Sequence, residues 1–262
     1  MKCSSLMVSA LALTLVFWSC GGASDDVAAR KTRAVKKALF IGDSITDGGW
    51  GNSCGDMRPS AERNHSDMNH IYGHSYMMLC ASEIQSRLPR KDIAFYNRGI
   101  SGNTLADMAA RWDSDAVALR PDLVTILIGT NDVEYYVAKE AKSRFDFGKW
   151  EKTYRTLLDT MHAVCPDVRF ALGTPFVGKV GWRGAAPNFQ LRQRMIDSMD
   201  VIVRNIASDY SAVLLPFDSL FCNLLADQPR QDYWIWDGVH PTPAGHRRMA
   251  DLWLNKVGVW FE

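Results

Sequence analysis

Leu39-Phe40-Ile41-Gly42-Asp43-Ser44-Ile45-Thr46-Asp47-Gly48-Gly49 passes within a few positions from unbroken apolar residues to glycine, acid and hydroxyl side chains. An apolar run without alternation is the pattern of a strand buried on both faces, and the Gly, Asp, Ser and Thr cluster behind it builds a turn. Ser44 therefore sits where a buried strand leaves its sheet. Working outward, residues 38–42, 93–97, 123–129, 168–173 and 212–217 read as strands of this kind. Segments of helical period lie between and after them, at 72–88, 104–119, 147–164, 188–209 and 243–257. Repetition of strand and helix implies right-handed crossovers and a parallel five-stranded sheet with helices on both faces, an α/β fold. The last helix has explicit start chemistry, with Thr242 as cap and Pro243 in the first turn, where a missing N–H costs nothing.

The chain has 262 residues, 47% of them hydrophobic, enough for one sizeable core. Its 30 basic and 29 acidic side chains are interspersed and sum to a charge of +1, which excludes an electrostatic footprint for nucleic acid. Lys2 followed by the apolar run 6–18 is too short for a bilayer span and matches a secretory signal peptide, expected over residues 1–19. Phe17-Trp18-Ser19-Cys20-Gly21 resembles the lipobox of bacterial lipoproteins, in which the cysteine becomes the lipidated N-terminus. Phe stands where Leu is usual, and a plain cleaved leader is the alternative. The expectation is an exported protein of the cell envelope, touching membrane only through a lipid on Cys20, with residues 20–37 as a flexible tether and 38–262 as one domain. Cys54, Cys80, Cys165 and Cys222 are scattered without the short spacing of a zinc site, and no particular disulfide is expected. Cys80 and Cys165 fall in apolar helical patterns, as small buried hydrophobes do.

In an open parallel sheet ligands bind beyond the carboxyl ends of the strands, where loops converge. Those ends here are Asp43-Ser44, Gly99-Ile100-Ser101-Gly102-Asn103 and Gly129-Thr130-Asn131-Asp132. A serine hydroxyl becomes a nucleophile when a base takes its proton and a third group orients that base. Trp236-Asp237-Gly238-Val239-His240-Pro241 supplies both on one turn, Asp237 able to fold back onto one ring nitrogen of His240 while the other faces outward. An imidazole with an ordinary pKa of about 6.5 can accept and return a proton at neutral pH. Backbone N–H groups at Ser44 and Gly102 and the side-chain amide of Asn131 would meet the charge that builds on a carbonyl oxygen.

These blocks resemble those of the SGNH hydrolases, the GDSL-type esterases and lipases. Gly42-Asp43-Ser44-Ile45, Ile100-Ser101-Gly102-Asn103, Gly129-Thr130-Asn131-Asp132 and Asp237-Gly238-Val239-His240 occur in the family's order, with Ile in place of the Leu of its name. Each block alone is weak, and the ordered set is specific. The resemblance implies a flavodoxin-like three-layer α/β/α sandwich. It also implies Ser44 as nucleophile, Asp237 and His240 completing a triad, an oxyanion hole of Ser44, Gly102 and Asn131, and no cofactor. The substrate expected is a short acyl ester, acetyl above all, on a small molecule or polysaccharide. Alternatives are a lysophospholipase or thioesterase type of lipid acylhydrolase, a metal-dependent phosphoesterase and a non-catalytic glycan-binding protein.

The loop 48–71, about two dozen residues where about half a dozen is usual, carries function or is disordered. Its His65, Asp67, His70 and nearby His74 lack a His-Glu-x-x-His pattern and read as polar lining beside the substrate or as plain surface, not a metal site. Asp132 reads as structural and His246 as a surface or packing histidine. Trp50, Trp182, Trp234 and Trp236 are candidates either for stacking on a sugar ring or for the core.

Overall fold

The computed structural model describes residues 33–139, 144–227, 230 and 232–262. The expected leader and Cys20 lie outside the described residues. The folded unit begins at Ala34. Its elements in chain order are β1 (Lys37–Gly42), α1 (Ser44–Asp47), α2 (Tyr76–Arg87), β2 (Ala94–Gly99), α3 (Leu105–Ala110), α4 (Trp112–Asp115), β3 (Leu123–Leu127) and α5 (Thr130–Ala138). There follow α6 (Phe147–Val164), β4 (Arg169–Gly173), α7 (Gly181–Gly184), α8 (Phe189–Asp209), β5 (Val213–Leu215), α9 (Phe217–Asp227) and α10 (Pro243–Val257).

The five strands form one parallel sheet in the order β2-β1-β3-β4-β5. Alternate residues of β1 enter opposite cores: Ala38 and Phe40 join α2, α9 and α10 on one face, Leu39 and Ile41 join α3, α6 and α8 on the other. That two-sided burial is why β1 reads as a continuous apolar run, and the three-layer α/β/α sandwich follows from it. Because the chain turns from β1 outward to β2 and then back across to β3, the β1 end is the topological switch point. Register places Gly42 of β1 level with Gly99 of β2 and Leu127 of β3, so the three polar exits open side by side.

Several boundaries differ from the sequence reading. The expected tether overruns into the fold, because Val35 is fully buried with its N–H on Trp260 O at 2.8 Å, and Lys37 already belongs to β1. The expected helix 104–119 is broken at Arg111, whose φ/ψ of −115°/9° ends α3. Helices beyond the expected set include α5, which starts inside the polar third exit, and α9, which begins at Phe217 directly after β5. Among the described residues no helix is long and apolar enough to cross a membrane, and Cys54, Cys80, Cys165 and Cys222 are free thiols.

Candidate active site

Asp43 caps α1 by accepting from Ile45 N at 3.0 Å, and this turn lifts Ser44 out of the sheet at the helix's first position. Ser44 Oγ lies 2.9 Å from His240 Nε2, and His240 Nδ1 lies 2.8 Å from Asp237 Oδ2. The second carboxylate oxygen of Asp237 accepts from Val239 N at 2.9 Å and His240 N at 2.8 Å, closing the turn that carries the imidazole. Burial disfavours the Asp237 carboxylate, but the His240 side chain and these two backbone donors outweigh it and hold the group well below the usual carboxylate range. Burial pushes neighbouring Asp43 up to about 6, against its bond from Ile45 N and the nearby His240.

Asp237 has a further partner, because Arg183 Nη1 donates to the same oxygen that faces His240. Arg183 also reaches Glu134 Oε2 at 3.3 Å, and Arg192 Nε donates to Glu134 Oε1 at 2.7 Å, so a partly buried chain of alternating charges backs the imidazole. Gly181 allows this approach: its φ is +58°, and a Cβ there would stand 2.6 Å from Asp237 Cα. Exposed indoles flank the pair, Trp182 with Arg183 4.0 Å above its ring and Trp236 stacked 6.3 Å from the His240 ring.

On the other side of Ser44, Gly102 takes φ +79° with Met57 Sδ and Tyr135 OH each 3.1 Å from where a Cβ would be. Asn131 Nδ2 donates to Asn103 O at 3.1 Å, which uses one of its two hydrogens. Among the described residues the Ser44 and Gly102 N–H groups have no protein acceptor. The cleft over Ser44, about 490 Å³, is lined by Asn52, Cys54, His70, His74 and Ser101.

A buried ion pair holds this side together. Arg63 grips Asp47 with two bonds of 2.6 and 3.1 Å, both side chains fully inaccessible, and its remaining donors reach Trp50 O, Asp56 O and Arg58 O. Asp47 in turn accepts from Gly49 N at 3.1 Å, Ser101 N at 2.8 Å and Ser101 Oγ at 2.9 Å. The loop 48–71 is thus fastened both to α1 and to the segment that carries Gly102.

The profile of the GDSL-like lipase/acylhydrolase family matches residues 40–248. The chain belongs to that family. This acylhydrolase is 32% identical over 226 residues to an acetylxylan esterase of Geobacillus stearothermophilus, covering 85% of this chain and 94% of the relative. A solved structure of an acetylxylan esterase from that organism superposes with a TM-score of 0.70 at 29% identity, over 88% of this chain and 99% of that one. A GDSL-like lipase structure from Parabacteroides merdae gives 0.72 at 28% identity, over 87% and 97%. Other Geobacillus structures carry alanine in place of a serine, an aspartate or a histidine and are described as catalytic mutants, the aspartate lying three positions before the histidine. The fold and the family make the protein a carboxylic ester hydrolase.

The acylhydrolase brings Ser44, Asp237 and His240 together as one hydrogen-bonded chain, and it sets Gly102 and Asn131 on the two exits beside Ser44. Trp50 departs from the stacking option: it is 1% exposed, packed between the guanidinium groups of Arg63 and Arg98, with its indole N–H on Gly99 O. Trp234 packs against the core, so of the four tryptophans Trp182 and Trp236 remain open. His65, His70 and His74 each engage a separate partner, Ser60 O, Asp67 and Gly48 O, and no metal-holding group occurs among the described residues. His246 accepts from Tyr76 N at 3.1 Å, and burial pushes it down to about 4, with His240 adding to the effect. Asp132 accepts from Leu105 N and from Trp150 Nε1 at 3.1 Å, a structural tie between α3, α5 and α6. Sequence reading missed Arg63, Asp47, Arg183 and Glu134; the glycines at 181 and 238 were the one local sign of a close approach behind the triad.

Proposed function

We propose that the protein is a serine esterase that removes short acyl groups, acetyl foremost, from carbohydrate through an acyl-enzyme. The single observation that carries this is the chain from Ser44 Oγ to His240 Nε2 to Asp237, at 2.9 and 2.8 Å. In the proposed cycle His240 Nε2 takes the Ser44 proton as Oγ attacks the ester carbonyl. The oxyanion so formed meets the N–H groups of Ser44 and Gly102 and the second amide hydrogen of Asn131. The imidazolium, held by Asp237, then gives its proton to the departing sugar oxygen. Water attacks the acetyl-serine with the roles reversed, releasing acetate and restoring Ser44.

A cleft that carries the polar side chains of Asn52, His70, His74 and Ser101, with Met57 crowding Gly102, supports a small acyl group and a hydroxylated alcohol over a lipid chain. The acetylxylan esterase relative and the exposed Trp182 and Trp236 favour a sugar. The test is a panel of acetylated sugars and of aryl esters of increasing acyl length, run on the wild type and on Ser44→Ala. Acetyl esters should turn over fastest, chelator should have no effect, and Ser44→Ala should lose activity by several orders of magnitude. Long-chain esters turned over equally well would overturn the carbohydrate reading. Activity kept in Ser44→Ala and lost with chelator would select a metal-dependent phosphoesterase, and glycan binding without any hydrolysis a lectin-like role.

For location, the proposal is export and lipidation at Cys20. Mass spectrometry of the mature N-terminus in its native host decides between a diacylated Cys20 and an unmodified cleaved end.

A further inference from the structure

A second cavity of about 490 Å³ adjoins the cleft, formed by α3, α4 and the loop 48–71. The segment 100–103 is the wall between them: Ser101 faces the cleft with Ser44, while Ile100 and Asn103 line the second cavity. Arg111 crosses the base of this wall, donating to Asn103 Oδ1 at 2.8 Å and to Gly42 O at 3.2 Å, two residues before Ser44. A group bound in the second cavity is thus a neighbour of whatever is bound over Ser44.

The cavity's charges are unequally settled. Asp115 is committed to Arg111 Nη1 at 2.8 Å and to Ser60 Oγ at 2.7 Å. Asp107 is committed to the cap of α3, accepting from Thr104 N at 2.9 Å and Thr104 Oγ1 at 2.6 Å. Arg98 has no carboxylate. It is partly buried, its guanidinium packs on the rings of Trp50 at 5.0 Å and Tyr96 at 5.6 Å, and its one acceptor is Asn97 O, 2.8 Å from Nη1. Among the described residues Nε and Nη2 have none. Burial lowers the affinity of Arg98 for its proton, with Asp115 as the largest opposing influence. An arginine packed on aromatic rings with Nε and Nη2 unpartnered is pre-organised for a planar, bidentate acceptor.

We infer that this cavity is a subsite for a carboxylate-bearing sugar, with Arg98 as the anchor, so that the preferred substrate is an acetylated glycan carrying a uronic acid next to the acetylated residue. The inference rests on the carbohydrate-esterase reading above and adds a specificity determinant to it. Phosphate or sulfate would also suit a cation, but a uronic acid is the anion that can belong to the same sugar chain as the ester.

The test compares kcat/KM for acetylated xylo-oligosaccharides with and without a glucuronosyl branch. In the wild type the acidic substrate should be favoured by about tenfold or more, the scale of one charge-assisted hydrogen bond. Arg98→Gln should bring the ratio to about 1, and Arg98→Lys, which keeps the charge but not the two-pronged fork, should retain only part of it. Free glucuronate should compete with the neutral substrate on the wild type and more weakly on Arg98→Gln, with sulfate as the control anion. Should Arg98→Gln fail to fold, the wild-type ratio and the glucuronate competition still decide the matter. Neutral acetyl sugars hydrolysed with a ratio of about 1 and no competition by glucuronate would overturn this inference and leave the esterase reading standing. No hydrolysis of either sugar would remove that reading, and the inference with it.

Discussion

Arg63 is 19 positions from Ser44 in sequence and touches none of the reacting atoms, yet its removal should damage both stability and rate. Arg63→Met deletes two bonds to the Asp47 carboxylate and three to the carbonyls of Trp50, Asp56 and Arg58. Breaking one side of a buried ion pair costs about 3–5 kcal/mol, because the remaining charge stays desolvated. Asp47 keeps Gly49 N, Ser101 N and Ser101 Oγ, so the cost should fall near the lower figure, about 3 kcal/mol. For a domain of this size each kcal/mol lowers Tm by about 2–4 °C, giving a fall of about 6–12 °C by calorimetry. Removing the stranded charge as well, in Asp47→Asn/Arg63→Met, should recover part of that loss, since two neutral partners have no such penalty. Through Ser101, which Asp47 holds, the backbone at Gly102 should loosen. Measured at 25 °C, where the variant is still folded, kcat should drop at least about tenfold with KM little changed, as expected when an oxyanion donor is misplaced. A Tm within about 2 °C of wild type together with unaltered kcat would refute the idea that this pair supports the site.

Arg183→Met should lower kcat/KM by about tenfold by letting the Asp237 carboxylate turn away from His240. Asn131→Ala should reduce kcat by about 100- to 1000-fold while Tm changes little, and comparing release of the alcohol with release of acetate in single turnovers would show whether the loss lies in acylation. Asp132, which burial pushes up to about 7 against its bonds from Leu105 N and Trp150 Nε1, gives a stability signature. Its folded form binds a proton more tightly than the unfolded chain, so its contribution is fully present near pH 4 and is lost as pH rises to about 7. Asp132→Asn should match wild type at pH 4 and be the more stable of the two at pH 8; a Tm difference constant over that range would rule this out.

What was legible in the sequence, and what was not, divides by the reach of the interactions. Ser44, Gly102, Asn131 and the Asp237/His240 pair are each flagged by their own neighbours, because a strand end, a turn glycine or an Asx turn is written in three or four consecutive residues. The sheet makes them meet, and its strands follow from the same apolar runs, while their order is seen only in the fold. The misses come where distant side chains decide local structure. Residues 104–119 have helical period throughout, but Arg111 turns aside to bond Asn103, Arg98 O, Asp115 and Gly42 O, and these four contacts break the helix that propensity favours. The long loop 48–71 looked unconstrained for the same reason. Its order depends on Arg63 meeting Asp47, and an arginine in a polar stretch reads as a solvated charge until the fold removes its water. Arg183 and Glu134, 49 positions apart, are equally silent. The chemistry of the site is therefore encoded locally, whereas the stiffness that keeps Ser44, Gly102 and His240 in register is encoded in charge pairs between segments. A relative that kept all four short blocks but lost Arg63 or Arg183 would still be recognised as an esterase from its sequence, and should be a slower one.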